Sequence, residues 1–178
     1  MTAISVTPTT LHVWAIYLRA SEEARARGDR RTGTEHLLLT LLEQDPFVET
    51  AVGFGAQQAR QALASLDHQA IDALGLEVDA RLWSEACVPS TSAASSKPRL
   101  RDVARNDRLR MTPTAKKVLE RSAKPNNRKL WVTGSQVLNQ ILALQLPDPA
   151  AALRDALGVK APEVRRLLTA LDEENRLK

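Results

Sequence analysis

The side chains that most often carry catalysis are few in this chain, and they are scattered. The three histidines, His12, His36 and His68, lack the H-E-x-x-H spacing that places two imidazoles on one helix face for zinc. No serine lies in a G-x-S-x-G turn. The single cysteine, Cys87, has no basic residue beside it to stabilise a thiolate. We therefore expect no enzymatic activity, no metal site and no cofactor.

Charge is distributed unevenly along the 178 residues. The net charge of +4 combines 7 basic and 12 acidic residues before Lys97 with 18 basic and 9 acidic residues from there on. Most of the basic excess lies between Lys97 and Lys129, and such a segment can attract phosphate groups. The alternative is a solvated linker and helix face. No aromatic residue interleaves these charges, so stacking on single-stranded bases has no support.

Apolar residues recur at helical spacing near the start of the chain. A first helix is expected from about residue 11, with Thr10 before it and Gly28 as its C-terminal stop. Trp14 lies on the apolar stripe of this helix, which predicts a core position, with an exposed interface tryptophan as the alternative. Trp131 is left open between the same two roles.

A second helix is expected from Thr34, whose hydroxyl can cap a free N–H. Its apolar face, formed by Leu37, Leu38, Leu41 and Leu42, predicts burial. Pro46 ends this helix and starts the next, and Gly55 precedes a fourth. Residues 67–86 predict one or two further short helices.

The second part of the chain repeats the order of these signals. Thr112-Pro113 opens an Ala/Leu-rich segment as Thr7-Pro8 does, and the stretch from Thr133, TGSQVLNQIL, matches the first part's TGTEHLLLTL. Prolines follow in both parts before a short helix, a glycine and a longer helix. Chance similarity between Leu-rich helices is the alternative. We expect an all-α fold in which two four-helix repeats, related by a pseudo-twofold axis, form one globular domain.

These motifs, in this order, resemble the double-repeat N-terminal domain of Clp unfoldases. GTEHLLLTLL is the most specific of them, and MTPTAKKVLE and AALRDALGV are similar to the family's second repeat. The resemblance spans about Thr7 to Leu171. It implies a first repeat with an extra C-terminal helix at residues 1–87, a Ser-rich and then basic linker at 88–110, and a second, divergent repeat at 111–178. The chain has no G-x-x-x-x-G-K-[ST] loop, so it resembles a free-standing N-domain that does not hydrolyse ATP.

The resemblance implies a non-enzymatic docking module for adaptors or substrates, and some members of the family recognise phosphorylated arginine. A guanidinium group needs a carboxylate, and its phosphate needs helix N-termini, hydroxyls or cations. Glu35 in GTEH matches the family's ligand-binding glutamate. The alternative is a structural one, because a carboxylate in the first turn also stabilises the helix dipole.

The remaining ligand residues implied by the resemblance are Thr10, Thr34, Thr112, Lys116, Lys117, Ser135 and Gln136. Gln136 stands where Glu35 stands in the first part. Its neutral amide lacks the ion pair with a guanidinium, which weakens the case for a second phosphoarginine site. For Lys116 and Lys117, a solvated helix face is the alternative.

The predicted partners are proteins: a Clp ATPase, its adaptors or its substrates, some of them arginine-phosphorylated. The chain would act as an adaptor or as a decoy, and the sequence does not distinguish the two roles or fix the oligomeric state. The other function considered is a nucleic-acid-associated regulator that binds through Lys97 to Lys129. The chain shows no membrane span and no basic and apolar leader at its start, so we expect a cytoplasmic protein.

Overall fold

Helices make up most of the described residues. The structure is a computed structural model, and it describes residues 9–75, 109–123 and 130–176. Its elements are β1 (Thr10–His12), α1 (Val13–Ala26), β2 (Arg31–Thr32), α2 (Thr34–Gln44), α3 (Pro46–Val52), α4 (Ala56–Ala73), β3 (Arg110–Met111), α5 (Pro113–Ala123), β4 (Trp131–Thr133), α6 (Gly134–Ile141), α7 (Pro149–Ala156) and α8 (Ala161–Arg176). An all-α fold was expected, and the described residues are mainly helical, with two small sheets that were not expected.

Each small sheet joins a strand from the N-terminal part, residues 9–75, to a strand from the C-terminal part, residues 109–176. β1 pairs antiparallel with β4, with Leu11 opposite Val132. β2 pairs parallel with β3, with Thr32 opposite Met111. Because β2 and β3 are parallel and each leads into a helix, their pairing brings the start of α2 close to the start of α5. In the antiparallel β1–β4 pair, Val13 at the start of α1 lies beside Leu130 instead, and its N–H donates to the Leu130 carbonyl at 2.7 Å.

Helix α2 lies at the centre of the apolar core. It contacts α1, α3, α4, α5, α6 and α7. All five of its leucines are buried: Leu37, Leu38, Leu39, Leu41 and Leu42. A helix that is apolar on nearly every side must be surrounded by other helices to remove that surface from water. The expected burial of this helix is confirmed, and it extends to Leu39, beyond the predicted face.

The first helix starts later than expected. Residues 10–12 pair with β4, so Thr10 is a strand residue and does not begin the helix. His12 is the N-cap of α1, and its Nδ1 atom accepts a hydrogen bond from the Trp14 N–H at 3.2 Å. Strand pairing here supplies backbone hydrogen bonds that compete with the helix. Gly28 follows the helix with a φ of 80°, as its predicted role as a C-terminal stop requires.

The expectation of a core position for Trp14 was wrong. Trp14 is 42% exposed and packs at an angle against Tyr17. The buried row of α1 runs instead through Ile16, Ala20 and Ala24. Small residues in that row let α1 approach α2 closely, and Trp14 lies to one side of the row. Trp131 is 46% exposed, with its ring edge-on to His12.

Two expectations concern segments near the gaps in the described residues. Residues 67–73 continue α4 and do not start a new helix, because the helical period is unbroken there. Residues 76–87, the Ser-rich linker and most of the segment from Lys97 to Lys129 lie outside the described residues. Among the helices of the described ranges, none combines the length and apolarity needed to cross a bilayer.

Helices α3 and α7 begin in the same way. Asp45 caps α3 by accepting a hydrogen bond from Phe47 N at 3.1 Å, and Asp148 caps α7 by accepting one from Ala150 N at 3.0 Å. A proline follows each aspartate at the first helical position, where its missing N–H costs nothing. The expected role of Pro46 in starting α3 is confirmed.

Asp45 also contacts the C-terminal part. Its Oδ2 atom packs directly against Gly134, the first residue of α6, and has no hydrogen-bond partner of ordinary geometry among the described residues. Burial raises the pKa of the Asp45 carboxyl, and the N–H of Phe47, with the nearby Thr9, offsets part of this effect. The contact between α3 and α6 is therefore tight and includes a buried carboxyl group.

Gly134→Ala should destabilise the protein by about 1–3 kcal/mol, because the added methyl group would overlap the Asp45 carboxyl and stand 2.8 Å from Val48 Cγ2. Urea denaturation measures the change in the free energy of unfolding. Gln57→Ala, an exposed change in the first turn of α4, is the control and should stay within about 0.5 kcal/mol. Equal effects of the two variants would contradict the tight contact at Gly134.

Asp45→Asn should alter how stability depends on pH. Burial places the folded-state pKa of Asp45 above its ordinary value of 3.8, so the folded protein binds more protons than the unfolded chain in the range above that value. This group therefore lowers wild-type stability as pH rises from its ordinary pKa of 3.8 through the raised pKa of the folded state. Asn keeps the cap without the charge, so the variant's free energy of unfolding, relative to wild type, should increase over that range. Denaturation curves at several pH values, with Asp72→Asn as an exposed control, measure the difference; a constant or shrinking difference would contradict this role.

Candidate ligand-binding site

A pocket of about 480 Å³ lies where α2, α5 and the loop before α7 meet. The described residues that line it are Gly33, Thr34, Glu35, Thr112, Thr114, Leu144, Gln145, Pro147, Asp148 and Pro149. The parallel pairing of β2 with β3 puts the starts of α2 and α5 side by side. Both parts of the chain thus build the pocket. It contains three of the residues predicted from the resemblance: Thr34, Glu35 and Thr112.

Thr34 has a different role from the one expected. Gly33 is the N-cap of α2, and Thr34 is the first helical residue, so the expectation that Thr34 caps the helix was wrong. The Thr34 hydroxyl donates instead to Asp148 Oδ1 at 2.6 Å. A carboxylate acceptor gives a short and strong hydrogen bond. The Thr34 hydroxyl therefore bonds to the distant Asp148 carboxylate and not to a backbone N–H of its own helix. The bond ties α2 to the start of α7.

His36 closes the start of α2 in place of a hydroxyl cap. Its Nδ1 atom accepts a hydrogen bond from the Gly33 N–H at 3.0 Å, and its Nε2 atom lies 2.9 Å from Asp29 Oδ2. In the tautomer that satisfies both contacts, Nδ1 accepts and Nε2–H donates. The imidazole is fully buried, and its two nitrogens are both engaged. This arrangement supports a structural role for His36.

Because His36 accepts the Gly33 N–H, Glu35 does not cap α2, and its side chain is among those that line the pocket. Glu35 Oε1 lies 3.0 Å from His36 Nδ1, and the Glu35 side chain is 13% exposed. The carboxylate folds back over Gly33, where a β-carbon would collide with it. Glu35 is thus held at the N-terminus of α2, where the helix dipole favours its charge, and it faces a cavity as well.

Asp29, Glu35 and His36 are close enough together to suggest a metal site, which their sequence spacing did not predict. A histidine ligand must offer a nitrogen lone pair to the ion. In the tautomer given above, the Nδ1 lone pair accepts the Gly33 N–H, and Nε2 carries the hydrogen directed at Asp29. A metal on either nitrogen would break a hydrogen bond of a buried ring, so these three groups fit a structural network better than a metal centre.

The corresponding residues of the C-terminal part form a separate group. Thr133 caps α6 by accepting from Gln136 N at 3.3 Å, and Gln136 Oε1 accepts from Thr133 N at 3.1 Å. Ser135 is buried, with its hydroxyl 2.8 Å from that of Thr133. Thr10 is opposite Thr133 in the β1–β4 sheet. The amide of Gln136 is therefore used in a capping box, a duty that His36, and not Glu35, performs in α2.

The two predicted lysines lie on the exposed face of α5 and are not among the described residues lining the pocket. Lys116 Nζ is 3.7 Å from Glu120 Oε1 one turn further along the helix, and both side chains are largely exposed. Such a pair contributes little to stability. This geometry fits the alternative of a solvated helix face for Lys116 and Lys117, and it gives no specific support to nucleic-acid binding by this segment.

Sequence reasoning missed Asp148, Thr114 and Gln145 as pocket residues. Asp148 had one local signal, an aspartate before a proline, which predicts a helix start. Nothing in the sequence indicated that its carboxylate would reach Thr34, because that contact depends on how the two parts of the chain pack.

No protein-family model matches the chain, and a search of curated proteins finds no significant match. The case for a function therefore depends on the pocket and on the residues that line it.

Proposed function

We propose that this chain is a non-enzymatic binding module, built from two four-helix repeats as in the N-terminal domain of Clp unfoldases. Its pocket captures the guanidinium group of an arginine on a partner protein, with phosphoarginine as the form that the resemblance implies. The partners are substrates or adaptors of a Clp protease, and the chain serves either as an adaptor that presents them or as a decoy that competes with the motor.

One observation carries this proposal: carboxylate and hydroxyl groups from distant parts of the chain converge on one pocket. Glu35 and Thr34 come from the start of α2, Thr112 from the start of α5, and Asp148 from the loop before α7. A guanidinium group is planar, always charged and rich in donors, and it needs acceptors in this kind of arrangement. A cavity of about 480 Å³ has the size of a small-ligand site.

Three features support the two-repeat architecture. The described residues of each part contain four helices in the same order. Asp45 and Asp148 each cap the third helix of their part, and each packs against the start of the second helix of the other part. The sheets also cross between the parts, although one is antiparallel and the other parallel.

Glu35→Gln and Glu35→Ala should weaken binding of guanidinium ligands by about 10- to 100-fold, because a charge-assisted hydrogen bond contributes about 1.5–3 kcal/mol. Calorimetric titration of arginine and phosphoarginine into the wild type and these variants measures the effect, with phosphoserine as a ligand that lacks the guanidinium. Thermal denaturation of each variant checks that it is folded.

Glu49→Gln is the matched control, because Glu49 also lies in the first turn of a helix but outside this pocket. It should bind as the wild type does. The proposal fails if neither guanidinium ligand gives heat with wild type, or if phosphoserine binds equally well.

A further inference from the structure

Two carboxylates lie on either side of one hydroxyl in the pocket. The Thr34 hydroxyl is 2.6 Å from Asp148 Oδ1 and 3.5 Å from Glu35 Oε2. Its hydrogen satisfies Asp148, and Asp148 Oδ1 also accepts from Ala150 N. Each carboxylate keeps lone pairs for a further donor.

The described lining of the pocket has no positive charge to balance these carboxylates. Its remaining side chains are neutral: threonine hydroxyls, one glutamine amide, a leucine and two prolines. The adjacent start of α5 offers little to an anion. Pro113 has no N–H, and the Ala115 N–H donates to Thr112 Oγ1 at 3.3 Å. A phosphate bound there would face two negative charges, with no cationic side chain among the described lining residues to offset them.

The net charge of the ligand side chain should therefore decide which of the two forms, arginine or phosphoarginine, the pocket binds more tightly. An arginine side chain is a monocation, whereas a phosphoryl dianion on the guanidinium makes the side chain net negative. Two carboxylates in a partly enclosed site attract the first and repel the second. Phosphorylation also replaces one guanidinium N–H donor, so the modified group has fewer hydrogen bonds to offer to Glu35 and Asp148.

We propose that Asp148 determines the specificity of this pocket, and that the pocket prefers unmodified arginine to phosphoarginine. This inference rests on the proposed function of the same site. Glu35 and Asp148 together receive the planar guanidinium, and the Thr34 hydroxyl holds Asp148 in place. Lysine binds less well, because an ammonium group cannot donate to both carboxylates in one plane. The module thus binds protein segments that contain unmodified arginine.

The test uses short blocked peptides with one central residue: arginine, phosphoarginine, lysine or the neutral analogue citrulline. Blocking both ends removes terminal charges that would confuse the comparison. Calorimetry with wild-type protein at about 50 mM salt should show arginine binding at least tenfold tighter than phosphoarginine or citrulline. Raising the salt to about 500 mM should weaken arginine binding and strengthen any binding of phosphoarginine, because screening reduces attraction and repulsion alike.

Asp148→Asn isolates the second carboxylate. Asn caps helices about as well as Asp, and its amide oxygen can still accept from Thr34, so the pocket should keep its shape. We expect the preference for arginine over phosphoarginine to fall about tenfold or more. Glu163→Gln, which removes one negative charge at an exposed position on α8, is the control and should keep the wild-type preference.

Each outcome separates this inference from the proposed function. Tighter binding of phosphoarginine by wild type, or an unchanged preference in a folded Asp148→Asn, would overturn the specificity while leaving guanidinium recognition intact. If Asp148→Asn does not fold, the opposite salt dependences of the two peptides in wild type decide the question. Binding of neither peptide would overturn the proposed function itself.

Discussion

The rest of the structure depends on one constraint: strands from the two parts pair with each other next to the starts of their helices. We call the β1–β4 pair and the β2–β3 pair the two crossings. β1 pairs with β4 and β2 with β3, so each sheet of the described residues takes one strand from each part. The hydrogen bond from Thr34 to Asp148 and the contact of Asp45 with Gly134 lie at the two crossings. The pocket forms at one of these crossings. Its acceptors and hydroxyls meet only when both parts are docked, and the buried leucines of α2 supply the free energy for that docking.

The two crossings differ in how the helix that follows, α2 or α6, is capped. In α2 the buried His36 accepts the Gly33 N–H, and Glu35 is not needed to cap the helix. In α6 the residue that matches Glu35 in sequence, Gln136, accepts the Thr133 N–H itself. The identity of the N-cap, glycine in one case and threonine in the other, shifts the capping box by one residue. One crossing is therefore left with a carboxylate directed at a cavity, and the other with an amide committed to its own helix.

Features that depend on local signals could be predicted from the sequence. Thr112-Pro113 and Asp45-Pro46 mark true helix starts, and the leucines after Glu35 mark a buried helix. Features that depend on competition between groups far apart in the chain could not be predicted from the sequence. Thr34 was expected to cap α2, but its hydroxyl donates to the Asp148 carboxylate instead. Trp14 fitted an apolar stripe, but the row that α1 buries is set by small residues packing against α2. Three predicted ligand residues met in the pocket because β2 pairs with β3. The other crossing, β1 with β4, placed Thr10 opposite Thr133, whose N–H donates to Gln136.

The carboxylates of Glu35 and Asp148 line one pocket and repel each other, and the fold offsets part of this repulsion. Asp148 stands at the N-terminus of α7 and Glu35 in the first turn of α2, and at each place the partial positive charge of the helix favours a negative side chain. Dipole stabilisation and ligand binding, which the sequence presented as alternatives for Glu35, are therefore compatible. Each helix N-terminus therefore offsets part of the repulsion that its carboxylate experiences. Neither helix supplies the planar array of donors that both carboxylates can still accept, and a guanidinium group does.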